Sequence, residues 1–151
     1  MCLSAVILVG GCLGTKDVPA TPATPPAILV DYHRTGGIAG FDDRLVVFDN
    51  GAAVLSSGII TREIMLNSTY VERITSVFDE ARFSQLDGNY TASRTGTDLI
   101  RYSISYHGKT VNTIDTATPS LLQPVIDELN SLLRAGAVPD QPLNPFINMA
   151  T

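Results

Sequence analysis

The side chains that most often perform catalysis are scarce in this sequence and do not form a catalytic pattern. The histidines, His33 and His107, fall at the end of a predicted strand and in a predicted turn, without the i, i+4 spacing of a helical metal-binding pair. The aspartates occupy strand ends and turns, where carboxylates commonly bond to backbone amides, and they lack the spacing of a calcium-binding loop. These aspartates are Asp42, Asp43, Asp49, Asp98 and Asp115.

Short catalytic motifs are missing as well. The sequence contains no serine nucleophile elbow, no phosphate loop and no dinucleotide fingerprint. We therefore predict a protein that is not an enzyme and that uses no metal and no cofactor.

One glycine-rich stretch is unusual for a plain hairpin loop. Its three glycines permit positive φ or a close backbone approach, and no helix follows that could bind an anion at its N-terminus. Its two large apolar residues are either buried as a plug or presented to a partner. We predict a partner-binding loop here, with 56–60 or 93–97 as the alternatives if this loop is buried. The loop comprises Gly36, Gly37, Ile38, Ala39, Gly40 and Phe41.

The first residues resemble the signal peptide and lipobox of a prokaryotic lipoprotein, bacterial or archaeal. A short apolar run leads into Val9-Gly10-Gly11, which stands directly before Cys12. The run is too short to span a bilayer. No Lys or Arg precedes it, so either the true start lies elsewhere or the segment is a buried strand. We predict a signal peptide over 1–11 and a lipid on Cys12, which anchors the chain on the extracytoplasmic side of the cell membrane.

A Thr- and Pro-rich segment follows the predicted anchor. Residues 12–27 have the composition of a stiff, extended spacer, and residues 137–151 form a proline-rich tail. The sequons at Asn67 and Asn89 are compatible with glycosylation on an extracytoplasmic surface.

Composition excludes several partners. The 151 residues include 15 acidic and 10 basic side chains, which give a formal net charge of −5. Nucleic acid, which requires a basic face, is therefore not an expected partner. The only cysteines are Cys2 and Cys12, so we expect no disulfide framework and no four-ligand zinc site.

The middle of the chain alternates between hairpins and helices. Asn50-Gly51 predicts a type I′ hairpin, and His107-Gly108 predicts a second tight turn. Thr69 has capping-box spacing to Glu72, and Thr118 before Pro119 predicts the start of the second helix, which Pro124 would kink or divide. We predict one α+β domain over 28–136: an antiparallel sheet of about four to five strands with two helices on one face, in the order β-β-β-α-β-β-α.

Parts of this domain resemble emfourin-like proteins, small inhibitors of protealysin-type metallopeptidases. The resemblance covers most of 28–133, and its segments are Arg34-Thr35-Gly36-Gly37-Ile38-Ala39-Gly40, Asp98-Leu99-Ile100-Arg101-Tyr102, Thr110-Val111, Pro119, Leu122 and Pro124-Val125. The lipobox, spacer and tail are additions to that family pattern. We predict a non-catalytic, membrane-anchored lipoprotein domain that binds a peptidase or an envelope protein. The alternative that the resemblance implies is an inhibitor of a thermolysin- or protealysin-type metallopeptidase.

Overall fold

The structure is a computed structural model that describes residues 24–91 and 98–137. The predicted signal peptide, Cys12 and most of the spacer lie outside the described residues. The same holds for the alternative loop at 93–97 and for the tail after Ala137, the residue with which the last helix ends.

Six antiparallel strands form a single sheet. In chain order they are β1 (Ile28–Gly36), β2 (Phe41–Phe48), β3 (Ala52–Ser57), β4 (Ile60–Met65), β5 (Ile100–Tyr106) and β6 (Lys109–Ile114). Across the sheet the order is β4-β3-β2-β1-β5-β6. Helix α1 (Ser68–Glu80) connects β4 to β5, and helix α2 (Gln123–Ala137) follows β6.

This architecture confirms the predicted α+β class and the alternation of strands and single helices. The predicted strand count was wrong, because the sheet has six strands rather than four to five. The extra strand is β4, which a two-residue turn at Gly58-Ile59 folds back along the whole of β3. Its sequence alternates too weakly to predict more than an extension of the sheet.

The two faces of the sheet have opposite chemistry. Strand alternation turns Tyr32, Leu45 and Ile104 toward the helices, where all three are fully buried. On the opposite face, which we call the open face, the described side chains are mostly polar and at least partly exposed. Both helices close the core with apolar side chains, namely Ile74, Phe78, Val125, Ile126, Leu129, Leu132 and Leu133. Leu122 joins them from the turn just before α2.

The helix starts differ from the predicted caps. Helix α1 is capped by Asn67, whose Oδ1 accepts from the Tyr70 N–H at 2.8 Å, so the Thr69 capping box was wrong. Thr118 does not cap α2, because the helix begins five residues later at Gln123; its hydroxyl donates to the Ile114 carbonyl at 2.9 Å. Pro124 lies in the first turn of α2, where its missing N–H breaks no helical hydrogen bond.

The predicted turn types were also partly wrong. At Asn50-Gly51 only Gly51 has positive φ, and its N–H donates to the Phe48 carbonyl at 3.0 Å, so the connection is a three-residue loop rather than type I′. The type I′ signature, positive φ at both central residues, occurs instead at His107-Gly108.

The long axis of the sheet separates two ends. At the spacer end the chain enters β1, and Ala27 exchanges hydrogen bonds with Asp49. At the opposite end, which we call the loop end, lie the 36–41 loop, the Gly58-Ile59 turn and the start of β5. The nine residues of β1 separate the two ends by about 26 Å at roughly 3.3 Å per residue.

Candidate functional site

The 36–41 loop is shaped by its glycines. Gly36, Gly37 and Gly40 have φ of +88°, +71° and +64°, a region that side chains other than glycine rarely adopt. The Gly37 N–H donates to the Leu99 carbonyl at 3.2 Å, and a Cβ on Gly36 would stand only 2.6 Å from that same oxygen. The base of the loop is thus fixed against the start of β5.

The two apolar residues of this loop have different environments. Ile38 is 90% exposed near the apex, beside exposed Ala39. Phe41 is half-buried, with the Arg34 guanidinium carbon 4.0 Å from its ring centroid. One residue is therefore presented to solvent while the other anchors the loop to the sheet.

A second apolar turn lies at the loop end. Ile59 is fully exposed and Ile60 is 60% exposed. Gly58, at φ +56°, donates its N–H to the Asp42 carbonyl at 3.1 Å, which fixes the turn to β2. The sequence offered this stretch only as an alternative to the 36–41 loop, whereas the structure exposes apolar tips on both.

A buried polar cluster lies beneath these turns. Arg34 donates to Asp43 Oδ2 through Nε at 3.0 Å and through Nη2 at 2.5 Å. The Ser57 hydroxyl donates to Asp43 Oδ1 at 2.5 Å. From α2, Asn130 Oδ1 accepts from Arg34 Nη1 and from the Tyr32 hydroxyl, both at 2.9 Å. Burial is the main cause that raises the pKa of the Tyr32 phenol.

Sequence reasoning missed this cluster. Asp43 was interpreted as one of several turn aspartates, and Asn130 was not singled out. The available signal was strand parity, because Asp43 shares the inward face of β2 with Leu45 and Val47. A carboxylate on such a face requires a partner.

The open face of the sheet carries the only described histidine with a carboxylate partner. His33 Nε2 lies 3.1 Å from Asp42 Oδ1, in a shallow groove of about 400 Å³ that also holds Asp31. Arg44 donates to the two Asp31 oxygens, through Nε at 3.0 Å and through Nη2 at 2.7 Å. These bonds to Asp31 raise the pKa of the Arg44 guanidinium. Among the described side chains, no hydrogen bond joins His33 to a serine.

The other candidate side chains are dispersed. His107 lies in the turn at the spacer end and packs on Tyr106, while Asp115 accepts from the Ile100 N–H at 3.4 Å. Asp98 is exposed at the loop end. Within 24–91 and 98–137, no three His, Cys, Asp or Glu side chains converge in a way that could hold a metal ion.

The two sequon asparagines are exposed and structurally engaged. Asn67 caps α1, and Asn89 Oδ1 accepts from Asn112 Nδ2 at 3.2 Å beside β6. Whether either residue carries a glycan stays a prediction.

Comparison with known proteins adds no relative: no protein-family model matches the chain, and no curated protein matches it. In the part of the chain that the structure describes, no helix is long and apolar enough to cross a membrane.

Proposed function

We propose that the chain is a non-catalytic, extracytoplasmic domain, anchored by a lipid on Cys12, that binds a protein partner through its loop end. The observation that carries this proposal is the exposure of Ile38 at the apex of a loop whose base is fixed. Binding residues are found disproportionately on loops that a folded scaffold holds in place. Burial in a partner would gain about 1.5–3 kcal/mol for such a side chain.

The arrangement of the two ends supports this function. The spacer joins β1 at one end of the sheet, and Ile38 projects at the other, about 26 Å away at roughly 3.3 Å per residue. A lipid at Cys12 would thus be connected to the domain through the end of the sheet opposite the contact loop. The net charge of −5 disfavours nucleic acid or an anionic surface as the partner.

Affinity isolation of the full-length lipidated chain from detergent-solubilised membranes tests the proposal. We expect a defined set of extracytoplasmic proteins with the natural chain and their loss with Ile38→Asp. Met65→Asp is the matched control, because Met65 is 67% exposed and lies at the spacer end. Identical protein sets with all three chains would contradict the proposal.

A second candidate function is inhibition of a thermolysin- or protealysin-type metallopeptidase. It is supported by the exposed apex within Arg34-Thr35-Gly36-Gly37-Ile38-Ala39-Gly40, one of the segments that resemble emfourin-like proteins. Titration of thermolysin with the chain tests it. We expect inhibition at micromolar concentration or below, weakened at least tenfold by Ile38→Asp. Absence of inhibition at micromolar concentration would remove this candidate for thermolysin and leave the broader proposal standing.

A further inference from the structure

Two separate turns are connected through one cluster of side chains around the buried Asp43. Phe41 ends the first turn and packs beneath the Arg34 guanidinium. Ser57 directly precedes the Gly58-Ile59 turn and donates to Asp43, the carboxylate that Arg34 binds. We define these four side chains, Arg34, Phe41, Asp43 and Ser57, as the clamp.

We infer that Ile38 and Ile59 form one two-pronged interaction surface whose spacing is set by the clamp, and that this surface fits a protein of fixed shape with an apolar pocket for each isoleucine. The inference rests on the proposed function and deepens it. It adds the Gly58-Ile59 turn to the contact surface, and it assigns Arg34 and Asp43 as positioning residues.

The chemistry of the clamp supports a positioning role. The side chains of Arg34 and Asp43 are only 14% and 8% exposed, so their burial removes two charges from water. An apolar pair of similar volume is often as stable as a buried ion pair. The charged pair additionally gives direction, because Nε and Nη2 of the planar Arg34 guanidinium both donate to the same oxygen, Asp43 Oδ2. Ser57 and Asn130 use the remaining polar atoms.

The same geometry favours a protein over a bilayer as the partner that contacts Ile38 and Ile59. A bilayer would accept two apolar tips at any separation, so a fixed spacing has value only toward a partner that is itself rigid. Two isoleucines also give too little buried surface for stable membrane attachment. They suffice as anchors in the pockets of a protein interface. Finally, both tips lie at the end of the sheet opposite the spacer.

The role of the clamp is tested by NMR on the free chain. We expect backbone order parameters near 0.85 for residues 37–40 and 58–59 in the natural chain. They should fall below about 0.6 at both turns in Asp43→Asn. Asp42→Asn is the matched control, because the exposed Asp42 side chain faces the open side of the sheet, where its hydrogen bond is to His33 and not to the clamp. Unchanged amide shifts at the spacer end show that the variant is folded, and Arg34→Lys provides a second, charge-preserving variant. Order retained at both turns in these variants, or absent in the natural chain, would overturn the inference.

The role of Ile59 as the second contact residue is tested by the same affinity isolation from membranes. We expect Ile59→Asp to lose the same proteins as Ile38→Asp. If Ile38→Asp loses them and Ile59→Asp keeps them, the two-pronged surface is wrong while the proposed function stands. If neither variant loses any, both are wrong.

Discussion

At the scale of single residues, the buried pair of Arg34 and Asp43 is the feature that was hardest to predict from the sequence. Strand parity could place Asp43 on the inward face of its strand. Its partner depends on the register of β1 against β2, and Asn130 comes from a helix 96 residues after Arg34. Local patterns carry no information about such distant pairing.

We expect Arg34→Met to destabilise the fold by about 3–5 kcal/mol, because it leaves the Asp43 carboxylate buried without its cation. Arg44→Met is the control. Arg44 pairs with Asp31 on the open face, where water screens the charges, so its loss should cost about 0–1 kcal/mol. Urea denaturation measures both values, and equal losses would show that the buried pair has no special role.

The buried Tyr32 phenol should make the free energy of unfolding fall at alkaline pH. Burial raises its pKa above the ordinary value of 10.0, so above that pH the unfolded chain releases a proton that the folded chain retains. The stability that this phenol contributes is therefore present below about pH 10 and lost as the pH rises. Tyr32→Phe should reduce the loss by up to about 1.4 kcal/mol per pH unit in this range. Urea denaturation at pH 8 and pH 11 checks this, and parallel pH profiles of the two chains would contradict it.

At the scale of elements, hairpins and amphipathic helices were predictable and their ends were not. Helix α1 has apolar residues at helical spacing, of which Ile74 and Phe78 are buried. Its start was misplaced because both Asn67 and Thr69 are good caps, and the spacing to Glu72 favoured the wrong one. Strand β4 was underestimated because Arg62 and Glu63 interrupt its apolar pattern.

The two possible caps of α1 can be separated by mutation. Asn67→Ala should cost about 1 kcal/mol, because the Tyr70 N–H then loses its acceptor. Thr69→Ala should change the free energy of unfolding by less than about 0.5 kcal/mol, as expected for an exposed surface position. Thermal and urea unfolding of both variants provide the comparison, and a larger loss from Thr69→Ala would restore the capping box.

The glycine loop permits an equally sharp comparison. Gly36→Ala should destabilise the chain by more than about 2 kcal/mol, because strain at positive φ adds to a clash with the Leu99 carbonyl. Gly40→Ala meets open space and should cost only about 1 kcal/mol, from the strain alone. Urea denaturation gives both values. Similar costs at the two positions would mean that the loop base is not held against β5.

At the scale of the whole molecule, fold class was predictable because alternation and turn signals are local. The loop end was not, because it brings together the 36–41 loop, the Gly58-Ile59 turn and the start of β5, which lie far apart in the chain. The whole molecule shows where two features lie relative to each other: the spacer joins one end of the sheet, and the exposed apolar turns lie at the other. That orientation gives the proposed lipid anchor and the proposed contact surface separate places on one domain.

The most direct measurement of the central claim is photocross-linking from position 38. A photoactivatable residue replaces Ile38 in the full-length lipidated chain, and the same residue at position 65 is the exposed control from the spacer end. On irradiation of membranes from the cells that produce the chain, we expect a discrete protein adduct from position 38 and none from position 65. An equal adduct from both positions, or no protein adduct from position 38, would contradict it.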